Sequence, residues 1–239
     1  IGWPLLRRAY PADRFTPFMM GGYEFGMLGV SLFVGAYGAG ALSSIAVVAL
    51  GHELFIWFVF FALLIAARDG SARPADLLVG FVKNPVTAAI FLGLLGNILG
   101  LRTASLDAIR GIDAVITTLH HFSSMIVPAV LIVVGHGLRF ETADVGKIAK
   151  VIGLRLLVQL PLTVLVSFLV LGAMLGFDLR FQVALFTLMI LPPPFIVPLF
   201  MRNDAGATAE RPLILQVLTI HTLASLIVFA GIVAAFPRF

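Results

Sequence analysis

The sequence predicts an all-α polytopic membrane protein, on three observations. Hydrophobic residues make up 60% of the 239 residues, mean hydropathy is +1.08, and only 12% of residues are charged. A soluble domain carries about 25% charged residues. The charges fall between apolar runs long enough to cross hydrocarbon, which takes roughly 20 residues. Two of those runs are interrupted in the middle by glycine or proline.

The opening Ile1–Tyr10 reads as the last turns of a helix. Seven apolar runs follow: Thr16–Tyr37, Ala41–Ala67, Pro85–Leu101, Ala114–Leu138, Ile148–Leu175, Phe181–Met201 and Pro212–Phe236. Polar loops at Arg7–Arg14, Arg68–Asn84, Arg102–Asp113, Arg139–Lys147, Gly176–Arg180 and Arg202–Arg211 join them, and none is large enough for a soluble domain. The chain has no cysteine, which excludes disulfides and thiolate metal sites. Its basic residues flank the spans without forming a dense patch, so the high pI does not point to nucleic acid.

The first interrupted run carries Gly21, Gly22, Gly26 and Gly29, with Glu24 in its middle; the second carries Leu191-Pro192-Pro193-Pro194-Phe195-Ile196-Val197-Pro198. Proline removes a backbone donor and clashes with the preceding turn. In hydrocarbon the freed carbonyls survive only where protein or a water-filled cavity satisfies them. Paired interrupted segments are the sequence pointer to the substrate site of a secondary transporter.

Loop charge predicts orientation. Alternate loops hold Arg7, Arg8 and Arg14; Arg68, Arg73 and Lys83; Arg139, Lys147, Lys150 and Arg155; and Arg202 and Arg211, twelve of the sixteen basic residues. Arg102, Arg110, Arg180 and Arg238 fall on the other side. The richer side should be cytoplasmic, with the C-terminus outside. Weak internal repetition adds to this. Glu24, Gly26, Gly29 and His52 precede Pro193, Phe195, Pro198 and His221 by 169 residues each. Arg14-Phe15 matches Arg180-Phe181 at 166 residues, and Ala36-Tyr37-Gly38-Ala39 parallels Asp204-Ala205-Gly206-Ala207 at 168. By the charge rule the two interrupted runs cross the membrane in opposite senses, as inverted repeats do.

The expected organisation is then a helix tail and cytoplasmic loop over 1–15, and the end of a first repeat over 16–67. A cytoplasmic loop over 68–84 follows, and a complete second repeat of five helices over 85–236. Symmetry predicts roughly 80 further residues upstream, holding about three spans, for about ten helices in all.

Several motifs carry a family resemblance. Gly22-Tyr23-Glu24-Phe25-Gly26-Met27-Leu28-Gly29-Val30-Ser31-Leu32 resembles the fourth-helix segment F-G-N-x-G-F-L-G-x-P-L of the auxin efflux carrier family, which includes bacterial permeases and plant PIN-like carriers. Lys83-Asn84-Pro85 with Gly93 resembles the start of its sixth helix. Val127-Pro128-Ala129-Val130-Leu131 with Gly135-His136-Gly137-Leu138 resembles its seventh, and Leu191 to Pro198 its broken ninth. The resemblance implies two five-helix inverted repeats with crossing broken helices, within the bile-acid/sodium symporter-like transporter fold. Two positions depart from the pattern: Glu24 replaces an asparagine and Ser31 a proline. With that proline gone, the first break must rely on its glycines and on Ser31 bonding back to the helix.

Glu24 is the sharpest candidate for chemistry, because an ionisable residue within a span marks a functional site by default. It could bind and release a proton during transport, or cap amides freed at the break, or pair with a buried histidine. His52, Glu53 and His221 lie in the spans that follow the breaks. Adjacent helical residues point about 100° apart, so His52 and Glu53 cannot both face one cavity squarely. At the second break, Pro193 and Pro194 lack amides, so donors to an anionic substrate must come from Phe195 onward. The substrate-binding set is thus Glu24, Gly26, Gly29, Ser31, His52, Pro193, Pro194, Phe195 and His221. His120 and His121 lack further ligands at helical spacing, and no metal or cofactor is expected. Asn97, Gln159 and Pro161 read as packing and kink features.

The first expectation is a secondary carrier for a small organic anion, a dicarboxylate or an auxin-like acid by the resemblance, in the bacterial inner membrane. Proton and sodium are the candidate coupling ions, and a homodimer is a candidate assembly. A sodium-coupled symporter of the bile-acid type and a non-transporting sensor or regulatory subunit are the alternatives. An intramembrane enzyme using Glu24 with His52 or His221 would need those groups to converge on a substrate. Phosphate-binding and serine-nucleophile motifs are absent, which leaves ATP-driven transport and serine hydrolysis unsupported, and an enzyme is not the first expectation.

Overall fold

The computed structural model describes residues 2–69, 92, 95–96, 98–100, 112–137, 144–201 and 205–237. The described residues are all-helical. The helix tail is α1 (Gly2–Ala9). The first interrupted run opens with a short 3-10 turn at Thr16–Met20, restarts with a π-helical turn at Phe25–Gly29 and continues as α2 (Val30–Tyr37). Helix α2 stops at Gly38, whose φ of +82° is left-handed and favours glycine. Then come α3 (Leu42–Phe55), a π-helical turn at Ile56–Phe60, α4 (Phe61–Asp69) and α5 (Ile112–Gly137). Helix α6 (Val145–Leu165) runs into a π-helical stretch at Val166–Met174. Helix α7 (Leu179–Ile190) ends at the three prolines, short α8 (Val197–Phe200) follows, and α9 (Ala205–Ala235) closes the fold.

Starts follow side-chain capping. Asp144 accepts from the amides of Gly146 and Lys147 at the start of α6, and Asp178 from those of Arg180 and Phe181 at the start of α7.

Among the described residues, four stretches are long and apolar enough to cross a membrane: Thr16–Tyr37, Ala39–Arg68, Val145–Met174 and Ala209–Ala235. In the second and third only 17% and 22% of the most apolar window is buried inside the protein. Val47, Leu50, Leu54 and Phe58 on one, and Leu157, Val164 and Phe168 on the other, face outward. Water would penalise that surface by about 25 cal/mol per Å², whereas lipid covers it. The chain is an integral membrane protein. The expected loop at 68–84 and span at Pro85–Leu101 lie almost entirely outside the described residues.

Two apolar clusters flank the interruptions. One gathers Phe15, Phe18, Met19, Phe60, Leu64, Val151, Val197, Ile214 and Val217; the other gathers Phe25, Leu28, Phe33, Ile45, Ala49, Ala184, Leu188, Leu191 and Phe229. Phe195 packs against both.

One boundary differs from expectation. Arg202–Arg211 reads as a loop because it is charged, yet α9 begins at Ala205 and carries Glu210 and Arg211 within it. Each has a partner that no local pattern reveals. The Glu210 carboxylate, 7% exposed, accepts from the amides of Arg14 (2.7 Å), Phe15 (2.8 Å) and Thr16 (2.8 Å), and from Thr16 Oγ1 (3.0 Å). Arg211 donates to the Pro198 carbonyl. Glu210 thus caps, from the last helix, the start of the first interrupted run. Glu210→Ala should destabilise the fold by roughly 3 kcal/mol, since buried hydrogen bonds to charged groups contribute about 1.5–3 kcal/mol each and are not additive. Glu210→Gln should recover part of that. Unfolding in detergent micelles measures both, and a loss below about 1 kcal/mol for the alanine variant would contradict the assignment.

Candidate functional site

The second break can be followed bond by bond. In a continuous helix the amides of residues 192 to 195 would bond the carbonyls of 188 to 191. Pro192, Pro193 and Pro194 have no amide to give. The Leu188 carbonyl instead takes the Leu191 amide (3.3 Å), and that of Ile190 takes Ser225 Oγ (2.5 Å) from α9. The Leu191 carbonyl takes Arg155 Nη2 (3.3 Å) from α6, and the Pro192 carbonyl takes the Glu24 amide (2.9 Å) from the first break. The Phe195 amide, left without its helical acceptor, donates to Glu24 Oε2 at 2.7 Å.

The first break has the same logic. Gly21 is extended, and Gly22 has a φ of +68°. Glu24, at φ −78° and ψ 67°, centres an inverse γ-turn in which the Phe25 amide bonds the Tyr23 carbonyl at 2.9 Å. The helix restarts with wide turns, the Gly29 amide reaching the Glu24 carbonyl at 3.0 Å. Glu24 Oε1 accepts from the Met27 amide at 3.4 Å. The carbonyls of Met19 and Gly22 take Arg155 Nη1 (2.6 Å) and Nη2 (2.7 Å). The Tyr23 amide donates to His52 Nε2 at 2.8 Å.

Two side chains therefore join the breaks. Glu24 links them through its own amide and through its carboxylate. Arg155 is fully buried and holds carbonyls of both, with its guanidinium carbon 5.1 Å from the centre of the Tyr23 ring. Among the described residues, the hydrogen bonds of Arg155 run to carbonyl oxygens and to no carboxylate.

The expected site residues are placed unequally. Glu24, Pro193, Pro194 and Phe195 come together where the two runs meet. Gly29 belongs there too: a Cβ on it would lie 2.6 Å from Leu191 Cδ1. Gly26 is exposed, with open space around it. His52 touches the first break through Tyr23, and the adjacent Glu53 turns to receive its Nδ1 at 3.1 Å. His221 is buried beside the second break, one turn before Ser225, and its Nδ1 has no hydrogen-bond partner among the described residues. His120 and His121 are exposed on α5.

Three expectations change. Ser31 is buried, but its hydroxyl has no partner among the described residues and does not bond back to the helix. Wide helical turns from Glu24 onward already satisfy that stretch. The Phe195 amide is not free for a substrate, because Glu24 occupies it. Arg155, counted above among loop charges, lies well inside the span Val145–Met174. Nothing local marks it out; its spacing of four and eight residues from buried Gln159 and Thr163 on the same helix was the available signal.

Comparison of the chain with protein-family models, with characterised proteins and with solved structures finds no match. Fold and site together define a class: an all-helical integral membrane protein whose two interrupted helical runs are hydrogen-bonded to one another in its interior.

Two measurements test this assignment. Arg155→Met strips partners from three buried carbonyls and should destabilise the protein by roughly 3 kcal/mol or more in micelles, with Arg155→Lys intermediate because one ammonium cannot span the same fork. Gly22→Ala forces a left-handed φ and brings a Cβ within 2.4 Å of Ile56 Cδ1 and 2.9 Å of Pro194 Cγ. It should destabilise by about 2 kcal/mol or more, whereas Gly26→Ala should be close to neutral in the same unfolding assay.

Proposed function

We propose that this protein is a secondary carrier for a small organic anion, and that the anion binds where the two interrupted runs meet. The observation that carries the reading is the bond from the Phe195 amide to Glu24 Oε2. One break already holds a carboxylate supplied by the other. A substrate carboxylate uses the same chemistry when it displaces Glu24, and the buried guanidinium of Arg155 adds a fixed positive charge nearby. Interrupted membrane helices with amides and carbonyls turned inward are the usual construction of such sites.

In this reading the two runs cross, and they belong to inverted repeats of a fold with about ten helices. The C-terminus is outside a bacterial cell membrane. Dicarboxylates and auxin-like aromatic acids are the substrate classes that the family resemblance supports. Displacement of Glu24 releases one bond between the breaks, which lets the parts carrying them move relative to one another, and rebinding restores it.

Uptake of radiolabelled organic acids into proteoliposomes tests the proposal. Saturable flux is expected for at least one carboxylic acid. Glu24→Gln, which keeps one acceptor oxygen and loses the charge, weakens the bond that the substrate displaces and should lower the half-saturating concentration for that flux about ten-fold, the equivalent of one charge-assisted hydrogen bond. Flux absent for every acid in folded protein, or a half-saturating concentration unchanged in the variant, would overturn the reading.

A further inference from the structure

We infer that His52 is a proton-binding site whose occupancy controls how the first break is held, so that the proton is the coupling ion. The coupling clause rests on the carrier reading above; the protonation switch itself does not.

The bonding fixes the imidazole tautomer. Nε2 accepts from the Tyr23 amide at 2.8 Å, so it carries the lone pair and the ring proton resides on Nδ1. Nδ1 faces Glu53 Oε1 at 3.1 Å, and Glu53 Oε2 is held by the Trp57 indole N–H at 3.2 Å. The ring is further fixed by Tyr23 and Phe25, with centroids 5.3 and 6.3 Å away.

Adding a proton has a definite consequence. An imidazolium has two N–H donors and no acceptor. The new Nε2–H points at the Tyr23 amide hydrogen, and two donors cannot share that 2.8 Å separation. The bond between α3 and the first break is lost, while Nδ1–H stays on Glu53. The new charge is therefore compensated within the span, which a charged group in hydrocarbon requires. The Glu53 side chain, which faces Nδ1, is about one-third exposed. One proton enters at Nε2, and the same proton leaves when the Tyr23 amide returns.

The charged and titratable surroundings agree with this placement. On its own helix His52 faces Glu53. From the first break it faces Tyr23, which directly precedes Glu24 in the chain. Arg155 lies against the Tyr23 ring. From α7 the near end brings Met189, which accepts from the Tyr23 hydroxyl, and Ile190; Arg180 is nine residues away, roughly 13 Å along the helix. The released amide thus belongs to the residue directly before Glu24, whose own amide and carboxylate bond the second break.

Trp57 reports on the relay directly, because its indole holds Glu53. The chain has two tryptophans, Trp3 and Trp57, so Trp3→Phe leaves Trp57 as sole emitter. In micelles its emission should change with pH as a single one-proton transition, lost in His52→Gln and retained in Glu24→Gln. Hydrogen–deuterium exchange on the unmutated protein needs no variant to fold. After correction for intrinsic rates, peptides covering residues 21–25 should exchange at least about ten-fold faster, relative to α3, at the acid end. Absence of the titration, its persistence in His52→Gln, or pH-independent exchange would overturn the proton site. In proteoliposomes, flux driven by a proton gradient should lose that dependence in His52→Gln. Gradient-independent flux in protein with an intact titration would overturn the coupling alone. Intact titration with no flux for any acid would count against the carrier reading and leave the switch standing.

Discussion

The structure depends on one buried guanidinium. Two helical runs are interrupted, and each interruption releases carbonyls that in hydrocarbon need partners from the protein. Arg155 takes three of them, at Met19, Gly22 and Leu191, from both sides of the contact between the breaks. No other side chain type could do this from one position, since only arginine presents several N–H donors in a rigid planar fork. A charge this deep is expensive to bury, and its hydrogen bonds to carbonyl dipoles are what offset that expense. Arg155 and the breaks thus require each other: without the breaks the guanidinium has no acceptors, and without the guanidinium the carbonyls have no donor.

Glu24 completes this arrangement with the opposite sign. Arg155 satisfies acceptors, and Glu24 satisfies donors: the amides of Met27 and Phe195 converge on its two oxygens. Ser225 and His52 serve as smaller versions of the same two roles, one donating to the Ile190 carbonyl and the other accepting from the Tyr23 amide. Donors and acceptors freed by glycine and proline are thus shared among side chains from α3, α6, α9 and the breaks themselves. The apolar clusters on either side hold these elements at the required spacing, with Phe195 common to both. Glu210 repeats the device nearer the membrane edge, where a carboxylate from the last helix caps the beginning of the first interrupted run.

Much of this was legible along the chain. Apolar length alone located Thr16–Tyr37, and the other three long spans within a few residues, because a span's length is set by the bilayer. The interruptions were legible because proline lacks an amide and glycine tolerates positive φ, both properties of a single residue. Glu24 stood out as an acid in an apolar run. Arg155 and Glu210 did not, since each lies near other charges and reads as part of a polar edge. Ser31 misled for a related reason: its neighbours suggested a local bond, but local backbone was already satisfied.

What the sequence by itself determined, then, is the inventory: helices of membrane length, two places where the helix must break, and hence a known number of backbone groups in need of partners. Only the tertiary structure decided which side chains answer that need. The reason is physical. Backbone deficits arise locally, from residue type and spacing of a few positions. Their remedies come from Arg155 at 133 and 136 residues' separation, Glu24 at 171, and Glu210 at more than 190, and no local pattern encodes which helices will lie side by side.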